Sequence, residues 1–298
     1  MTGRRGHLLL LAPYLLGLGV LVFLPAAITF GLPLTEYDLI RSPTFVGLDN
    51  FRELWDDPIF ERALRNSLHF AGLSVPLRLV AALGIALLLH RHFRGVALYR
   101  SAVVVPTVVP EIAYGLLWLW FFNPLYGPIN LFLDLGGEPE RTFWGAQLPH
   151  WLTNGDDARA AIVIMSLFTI GELFVVFLVA RQAIPRELYE LGETEGSSPM
   201  HTFTRLTLPL LAPVLILLFC RDTIFSLQAS FVPALIVTDG GPPPYETTYV
   251  PLFVYRNAFE YLRYGYASAA TVVMFALTAL IVLVQWRIVR RWRLQFAF

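Results

Sequence analysis

The sequence predicts an all-α membrane protein that crosses the bilayer six times, with both termini in the cytoplasm. Of its 298 residues, 56% are hydrophobic and only 15% are charged, which is more apolar than a soluble domain of this size requires. The apolar residues form runs near or above the roughly 20 residues that a helix needs to cross the hydrocarbon core. All 22 basic residues are arginines, and their uneven distribution indicates the orientation of the chain.

Six segments are predicted to span the membrane, and the whole chain, 1–298, is interpreted as a single transmembrane domain. Pro106 and Pro110 predict a bend in the third span. The fifth is expected to break or bend, because polar residues and a proline interrupt it at Arg221, Asp222, Gln228 and Pro233. The first could instead be a signal peptide, although its apolar run exceeds the usual length of about 7 to 15 residues. The spans are 8–30, 64–89, 98–122, 159–180, 208–236 and 268–289.

The arginines indicate which side of the membrane each connection faces. Twelve of them lie at the two tails and at the short connections after the second and fourth spans. Eight others are spread over the longer, acid-rich connections on the opposite side. Because positively charged short loops stay in the cytoplasm, both termini and the segment 181–207 are predicted to be cytoplasmic.

Composition argues against several classes of function. Without lysine, the chain lacks the residue that a phosphate-binding P-loop needs, so it does not bind ATP in that way. A formal net charge of zero gives no reason to expect a nucleic-acid partner. The single cysteine, Cys220, rules out an internal disulfide, and the six histidines show no zinc-binding spacing. No acid or histidine has a spacing that suggests catalysis, so an enzyme is not expected.

The most informative polar segment is 181–207, between the fourth and fifth predicted spans. Pro185 suits the first position of a helix, where its missing N–H would be unpaired anyway. Ile184, Leu188 and Leu191 then fall on one stripe at spacings of four and three. This pattern predicts a short amphipathic helix outside the bilayer.

The second half of this segment predicts a turn and another short helix. Gly196 suits the left-handed turn that ends the first helix. Ser198 and Pro199 suit the N-cap and first residue of a second helix that carries Phe203 and Leu206. We call the helix-turn-helix formed by residues 181–207 the elbow. Taken alone, a solvated loop with ordinary caps is the alternative interpretation.

The elbow resembles the EAA loop of importer-type ABC permeases, the element that docks in a cleft of the ATPase subunit. The sequence departs from the family at Leu191 and Gly192, where the family has alanines, and at Glu195, where it has aspartate. The residues at the family's offsets are Glu190, Gly196, Phe203, Leu208, Pro209 and Pro213. The resemblance implies that contacts with the ATPase involve Leu188, Glu190, Leu191, Gly196, Phe203 and Arg205.

Other segments resemble the carbohydrate-uptake branch of these permeases, which includes the maltose and glycerol-phosphate types. Segments 45–66 and 238–269 carry that resemblance, which covers about 13–293. Residues 136–157 have no counterpart and are interpreted as a variable insert. The resemblance implies the six-helix type I importer fold in a bacterial-type inner membrane.

The resemblance also implies a set of partners. This chain would enclose half of a translocation path, and a second homologous permease subunit would enclose the other half. A dimer of cytoplasmic ATPase subunits would carry ATP and magnesium, and an extracytoplasmic binding protein would deliver the solute. No cofactor is expected on this chain. A secondary transporter, the alternative, would show internal repeats, and the sequence has none.

Charged and aromatic residues inside the predicted spans are candidates for the solute path, because buried charges in membranes face a partner or a water-filled cavity. The alternative is structural, with Arg78 pairing with Glu111 or Glu172, Arg221 pairing with its own neighbours, and the aromatic rings packing between helices. The path candidates are Glu111, Tyr114, Trp118, Glu172 and Gln228.

The balance of charge within the spans bears on the solute. Two arginines face three acids there, so no cation is left over to hold a phosphate. Neutral polyols need only a mixture of donors and acceptors. The sequence therefore predicts a di- or oligosaccharide or a related polyol, with a glycerol phosphate as the alternative.

Overall fold

The computed structural model describes residues 4–123, 126–133, 142–143, 146–147, 151–152, 154–241 and 245–293. Over this range the chain is mainly helical and forms two compact units. The first comprises Met1–Glu61 with Phe253–Leu277, and the second comprises Arg62–Leu252 with Thr278–Phe298. Most of the predicted insert, 136–157, lies outside the described residues.

The helices of the described chain are α1 (Arg4–Leu18), α2 (Leu24–Gly31), α3 (Asp49–Asp56), α4 (Pro58–Leu89), α5 (Val96–Val108), α6 (Glu111–Phe121), α7 (Pro128–Leu133), α8 (Gly155–Leu167), α9 (Gly171–Gln182), α10 (Glu187–Thr194), α11 (Pro199–Thr202), α12 (Leu208–Ala229), α13 (Phe231–Ile236), α14 (Val250–Tyr255) and α15 (Tyr264–Arg293). Shorter π-helical or 3-10 stretches are Gly19–Phe23, Leu32–Leu34, Phe203–Thr207 and Arg256–Glu260. Two antiparallel hairpins pair β1 (Thr35–Glu36) with β2 (Thr44–Phe45) and β3 (Thr142–Phe143) with β4 (Ala146–Gln147).

The first unit begins with a long apolar helical run in which α1 continues through Gly19–Phe23 into α2. Leu10–Leu34 is long and apolar enough to cross a membrane, in agreement with the predicted span 8–30. The side chains of its apolar window are not buried within the chain. This run therefore presents its apolar surface to lipid or to another subunit.

The hairpin of β1 and β2 is held in the first unit by a buried amide. Asn50 on α3 donates hydrogen bonds to the carbonyls of Pro33 (2.8 Å) and Thr35 (3.0 Å). Gly265, at the start of α15, lies so close to Thr35 that a Cβ atom would collide with the carbonyl of that residue. A glycine is needed here for close approach, and this contact joins α15 to the hairpin.

The second unit is built around an apolar core between α4, α9 and α12. The buried residues of α4 recur at spacings of three and four, which places them on one stripe facing the other two helices. Such a stripe buries apolar surface while leaving the opposite face to lipid. The core includes Val75, Leu79, Ala82, Ala86, Leu173, Phe177, Leu211 and Leu218.

The predicted third span, 98–122, is not one continuous helix. It is split into α5 and α6, which meet at an angle of 102°. Val109 precedes Pro110 and is extended (φ −68°, ψ 131°), because a residue before proline is driven out of the helical region. Pro106, by contrast, lies within α5. The predicted bend is therefore present, but Pro110 produces it and Pro106 does not end the helix.

The fifth predicted span is longer and more regular than the sequence suggested. Pro199–Ile236 forms one helical run of 38 residues, interrupted only at Ser230. Arg221 and Asp222 lie within the uninterrupted helix α12, so no break occurs at these charges, whereas the interruption at Ser230 falls between Gln228 and Pro233, as expected. The second helix of the elbow is consequently the cytoplasmic-side extension of the fifth span, under the predicted orientation.

The number of apolar helical segments agrees with six predicted spans. Four helical runs of the described chain are long and apolar enough to cross a membrane. Two bent pairs, α5–α6 and α8–α9, bring the number to six if each pair forms one span. The α8–α9 pair bends by 44°. At this bend Gly171 lies close to Val104 and Thr107, where a larger residue would not fit.

We predict that Asn66→Ala destabilises the protein by about 1–3 kcal/mol. Asn66 is buried on α4 and donates to the carbonyls of Tyr245 and Thr248, both at 3.0 Å, so its removal leaves these carbonyls without those bonds. Thermal unfolding in detergent would measure the change. Gln182→Ala, at an exposed position, is the control. Equal stability of the two variants would contradict the prediction.

Candidate functional site

A cavity of about 210 Å³ lies within the second unit, between α4, the α5–α6 and α8–α9 pairs, and α12–α13. Most of its wall is apolar, but four ionisable side chains line it: Arg78, Glu111, Glu172 and Arg221. Tyr114 also lines the cavity, and its hydroxyl donates to the carbonyl of Met165 (2.7 Å). The structure therefore brings together Glu111, Tyr114 and Glu172 among the five predicted path residues.

The other two predicted path residues do not line this cavity. Trp118 is buried in an aromatic cluster, with ring centroids 5.0 Å from those of Phe122 and Phe168. Trp118 therefore packs between helices, which was the alternative to a place on the solute path. Gln228 is exposed on α12, away from the cavity wall.

Two buried charges of the second unit, Arg78 and Asp222, form an ion pair. The guanidinium Nη2 lies 3.3 Å from Oδ1 of Asp222, and the two side chains are 4% and 0% exposed. The guanidinium also contacts Ser226 Oγ at 3.4 Å. The sequence-based pairing of Arg78 with Glu111 or Glu172 is therefore wrong. Helix α12 presents positions 222 and 226 to α4, which puts Asp222 beside Arg78.

The surroundings of this ion pair are polar but incompletely hydrogen-bonded. Among the described residues, no aligned hydrogen bond reaches either carboxylate oxygen of Asp222 or uses Nε of Arg78, and the hydroxyls of Ser74 and Ser230 also lack one. The contact with Asp222 is thus electrostatic rather than a well-aligned hydrogen bond. Residues 222, 226 and 230 recur every four positions, as do 74 and 78. Polar residues at this spacing in an apolar helix lie on one face, and this signal in the sequence was missed.

A second ion pair lies at the more exposed edge of the cavity. Nη2 of Arg221 lies 2.5 Å from Oε2 of Glu172, so the pair joins α12 to α9. Phe225 packs between the two arginines, with its ring centroid 5.4 Å from Arg78 Cζ and 5.6 Å from Arg221 Cζ. Glu111 has no ion-pair partner in the described part of the chain. The cavity wall therefore carries paired cations and one unpaired acid.

The elbow is present, with a later start than predicted. Its first helix, α10, begins at Glu187, and Pro185 lies before it rather than at its first position. Gly196 adopts φ +74°, the left-handed turn that was predicted. Ser198 accepts a hydrogen bond from the N–H of His201 (3.3 Å), which makes it the N-cap, and Pro199 is the first residue of α11.

One contact at the base of the elbow attaches it to the core of the second unit, and two others lie within the elbow itself. Ile184 is buried in the core formed by α4, α9 and α12. The hydroxyl of Tyr189 lies 3.0 Å from the hydroxyl of Thr207, and Arg181 stacks on the Tyr189 ring with Cζ 4.0 Å from the centroid. These contacts fix the angle of α10 relative to the helix that begins at Pro199.

The elbow exposes both apolar and charged side chains, and four of its six exposed charged residues are acidic. Leu191 and Met200 are 60% and 71% exposed, and Leu188 is 38% exposed, whereas Phe203 is partly covered. Apolar side chains exposed together on a polar segment indicate an interaction surface. The exposed charged residues nearby are Arg186, Glu187, Glu190, Glu193, Glu195 and Arg205.

The connection between α13 and α14 is also tied down by charge. Glu246 pairs with Arg62 (3.0 Å) and with Arg159 (3.2 Å), which links this connection to α4 and α8. Tyr249, next to it, is fully buried, and this burial raises the pKa of its hydroxyl. Residues 242–244 lie outside the described range. Over the described chain, no cluster of three or more His, Cys, Asp or Glu side chains is arranged to hold a metal ion.

Membrane helices around a charged cavity, joined to an exposed elbow, are the arrangement expected of a membrane transport protein. The family described as "Binding-protein-dependent transport system inner membrane component" matches residues 78–294. The chain belongs to this family and is a permease subunit of an ABC importer. The predicted class of protein is therefore confirmed.

Individual relatives agree with this assignment. The trehalose/maltose transport system permease protein MalF of Thermococcus litoralis is 31% identical over 276 residues, covering 92% of this chain and 90% of that protein. The sn-glycerol-3-phosphate transport system permease protein UgpA of Salmonella choleraesuis is 31% identical over 283 residues, covering 94% and 92%. A chain of a bacterial alginate ABC transporter, solved with an alginate pentasaccharide-bound periplasmic protein, has the same fold, with a TM-score of 0.83 at 22% identity over 97% of this chain and 96% of its own.

We predict that Asp222→Asn destabilises the protein by about 3–5 kcal/mol, because it leaves the charge of Arg78 buried without a counter-charge. The double variant Arg78→Met, Asp222→Leu removes both charges, and we expect it to recover most of that loss. Glu172→Gln, in the more exposed pair, should cost less than about 1 kcal/mol.

Unfolding of the three variants in detergent would give these differences. If Asp222→Asn were as stable as Glu172→Gln, the ion pair between α4 and α12 would not contribute as described. A double variant less stable than Asp222→Asn alone would also contradict the prediction.

Proposed function

We propose that the elbow is the site at which a cytoplasmic ATPase docks and transmits its conformational change to this permease. The observation that carries the proposal is the continuity of the helix Pro199–Ile236, which runs from the exposed elbow to the wall of the charged cavity. The residues proposed to contact or shape the contact with the ATPase are Leu188, Glu190, Leu191, Gly196, Phe203 and Arg205. Leu188 and Leu191 would enter the cleft, while Glu190 and Arg205 would contact its polar rim.

A displacement of the elbow would be transmitted directly to the cavity. Helix α12 carries both Arg221 and Asp222, whose partners are Glu172 on α9 and Arg78 on α4. A rotation of α12 would change the distances within both ion pairs at once. ATP binding can shift the conformational equilibrium only through contacts that differ between the two states. The two ion pairs are groups whose contacts would differ.

The transporter would also need partner subunits. The arginine distribution supports an orientation in which the termini and the elbow are cytoplasmic, and ATP with magnesium would bind on the partner ATPase subunits. The whole chain, 1–298, would act as one permease domain enclosing half of the path, with a second homologous subunit enclosing the other half. A periplasmic binding protein would deliver the solute, as the name of the alginate structure indicates for that transporter.

We propose a neutral sugar, a di- or oligosaccharide or a related polyol, as the solute. The support is the pairing of both arginines near the cavity with acids, which leaves neither free to hold a phosphate. Glu111, Glu172 and Tyr114 offer hydrogen-bonding groups to hydroxyls, and the Tyr114 and Phe225 rings offer flat faces. The relative named for trehalose and maltose fits this proposal. The relative named for glycerol 3-phosphate fits the alternative.

We predict that Gly196→Val abolishes solute uptake and ATPase co-purification while leaving the membrane helices folded. A β-branched residue is strongly disfavoured at φ +74°, so the turn between α10 and α11 would open. Gly192→Ala is the matched control, because a Cβ at that position meets its nearest atoms at 3.9 Å, an ordinary contact. Leu191→Arg should reduce co-purification without altering the turn.

Pull-down of the ATPase with the tagged permease, together with circular dichroism of the permease, would check this prediction. Normal amounts of co-purified ATPase with both Gly196→Val and Leu191→Arg would contradict the docking assignment. Loss of helical signal in Gly196→Val would leave Leu191→Arg as the decisive variant, since its side chain is exposed.

We expect the binding protein that works with this permease to prefer a neutral disaccharide over glycerol 3-phosphate by at least about tenfold, which corresponds to roughly 1.4 kcal/mol. The reason is that both cations near the cavity in the described part of the chain are paired with acids, and both proteins handle the same solute. Calorimetric titration of the purified binding protein with maltose, trehalose and glycerol 3-phosphate would measure the preference. Tighter binding of glycerol 3-phosphate would overturn the neutral-sugar assignment while leaving the elbow proposal intact.

A further inference from the structure

A second cavity of the second unit is apolar and lies on its outer side. Its volume is about 540 Å³, and it lies between α4, the first part of α5 and the α8–α9 bend. Its lining contains no ionisable group other than the phenol of Tyr99. Leu88, Tyr99 and Phe168 line it and remain 72%, 57% and 53% exposed. We call this cavity the outer groove. Its volume and apolar lining suit a hydrocarbon chain.

One end of the outer groove meets a basic loop. Leu88 and Leu89 line the groove at the end of α4, and Tyr99 lines it near the start of α5. The loop that joins these helices, 90–95, carries Arg91 and Arg94, both exposed. Consecutive Cα atoms are about 3.8 Å apart, so the Cα of Arg91 lies within about 8 Å of that of Leu89.

The loop is also fixed against the groove by side-chain contacts. The ring of Phe93 lies 5.9 Å from the ring of Tyr99, measured between centroids. Arg100 donates from Nε (3.0 Å) and Nη2 (2.7 Å) to the carbonyl of Leu89 and so caps the end of α4. Arg94, which follows Phe93, is therefore held near the mouth of the outer groove.

The charge at this end of the groove is positive. Within the described chain, Arg91 and Arg94 form no ion pair with an acid. Burial lowers the pKa of His90, and the positive charges of Arg181, Arg91 and Arg100 lower it further, against the effect of its contact with the Leu87 carbonyl. Several cations thus converge at the end of α4, and an anion placed there would be stabilised.

We propose that the outer groove binds one anionic phospholipid, with an acyl chain along Leu88, Ala102 and Phe168 and the phosphate held by Arg91 and Arg94. The groove supplies an apolar lining, and the two arginines supply charge complementary to the headgroup. Basic residues beside grooves between membrane helices bind anionic headgroups in this way. The site also adjoins Arg181 at the base of the elbow.

Native mass spectrometry of the purified transporter complex would test this proposal. The complex would be incubated with phosphatidylglycerol or with phosphatidylcholine of identical acyl chains, and retained lipid counted. We expect retention of phosphatidylglycerol to exceed that of phosphatidylcholine. Arg91→Gln with Arg94→Gln should weaken phosphatidylglycerol retention on the order of fivefold for each arginine removed. Arg52→Gln, an exposed arginine in the first unit, is the control.

A second pair of variants separates the chain site from the headgroup site. Ala102→Phe fills the outer groove, and we expect it to reduce retention of both lipids. Ala97→Phe lies on the same helix, is also exposed and does not line the groove, so retention should be unchanged. Equal retention of the two lipids by the unsubstituted complex would overturn the proposal. So would an Ala102→Phe complex that retains as much lipid as the Ala97→Phe complex, as expected if the second permease subunit covers the groove.

Discussion

The ion pair between Arg78 and Asp222 is the constraint on which the second unit depends. A charge buried among apolar helices is stable only beside an opposite charge, so α12 must present Asp222 to α4. Ser226, one turn further, then contacts the same guanidinium. This orientation places Arg221 on the adjacent face of α12, where it meets Glu172 of α9. One buried pair thereby fixes which face of α12 lines the cavity.

The helical run that contains α12 also links the elbow to the cavity wall. A single run from Pro199 to Ile236 connects the exposed elbow to both ion pairs, so the elbow has no flexible joint to the cavity wall. The joint lies instead at Gly196, before the run begins, and Tyr189 braces it through its contact with Thr207. A continuous helix after a single turn fits the proposal that the elbow contacts a partner ATPase.

The bent helix pairs α5–α6 and α8–α9 provide breaks that a continuous helix does not have. Pro110 deprives its helix of one donor and forces Val109 to be extended, so α6 leaves α5 at a wide angle. Gly171 allows the second bend to pack directly against α5. Residues at both bends line the cavity, Val109 and Glu111 at the first and Thr169 and Glu172 at the second. Backbone groups freed at such breaks are tolerated in a membrane where protein covers them.

The sequence alone determined the features that depend on composition and local chemistry. Apolar length predicted the spanning segments, Gly196 and Ser198 defined the elbow's turn and cap, and the elbow's spacing identified the family. Only the tertiary structure decided contacts between distant residues. Asp222 rather than Glu111 or Glu172 pairs with Arg78, Trp118 packs in a core, and the elbow continues into the fifth span. These outcomes depend on how each helix is rotated about its axis relative to its neighbours. A stripe in the sequence shows which residues share one face of a helix, but it does not show which other helix packs against that face.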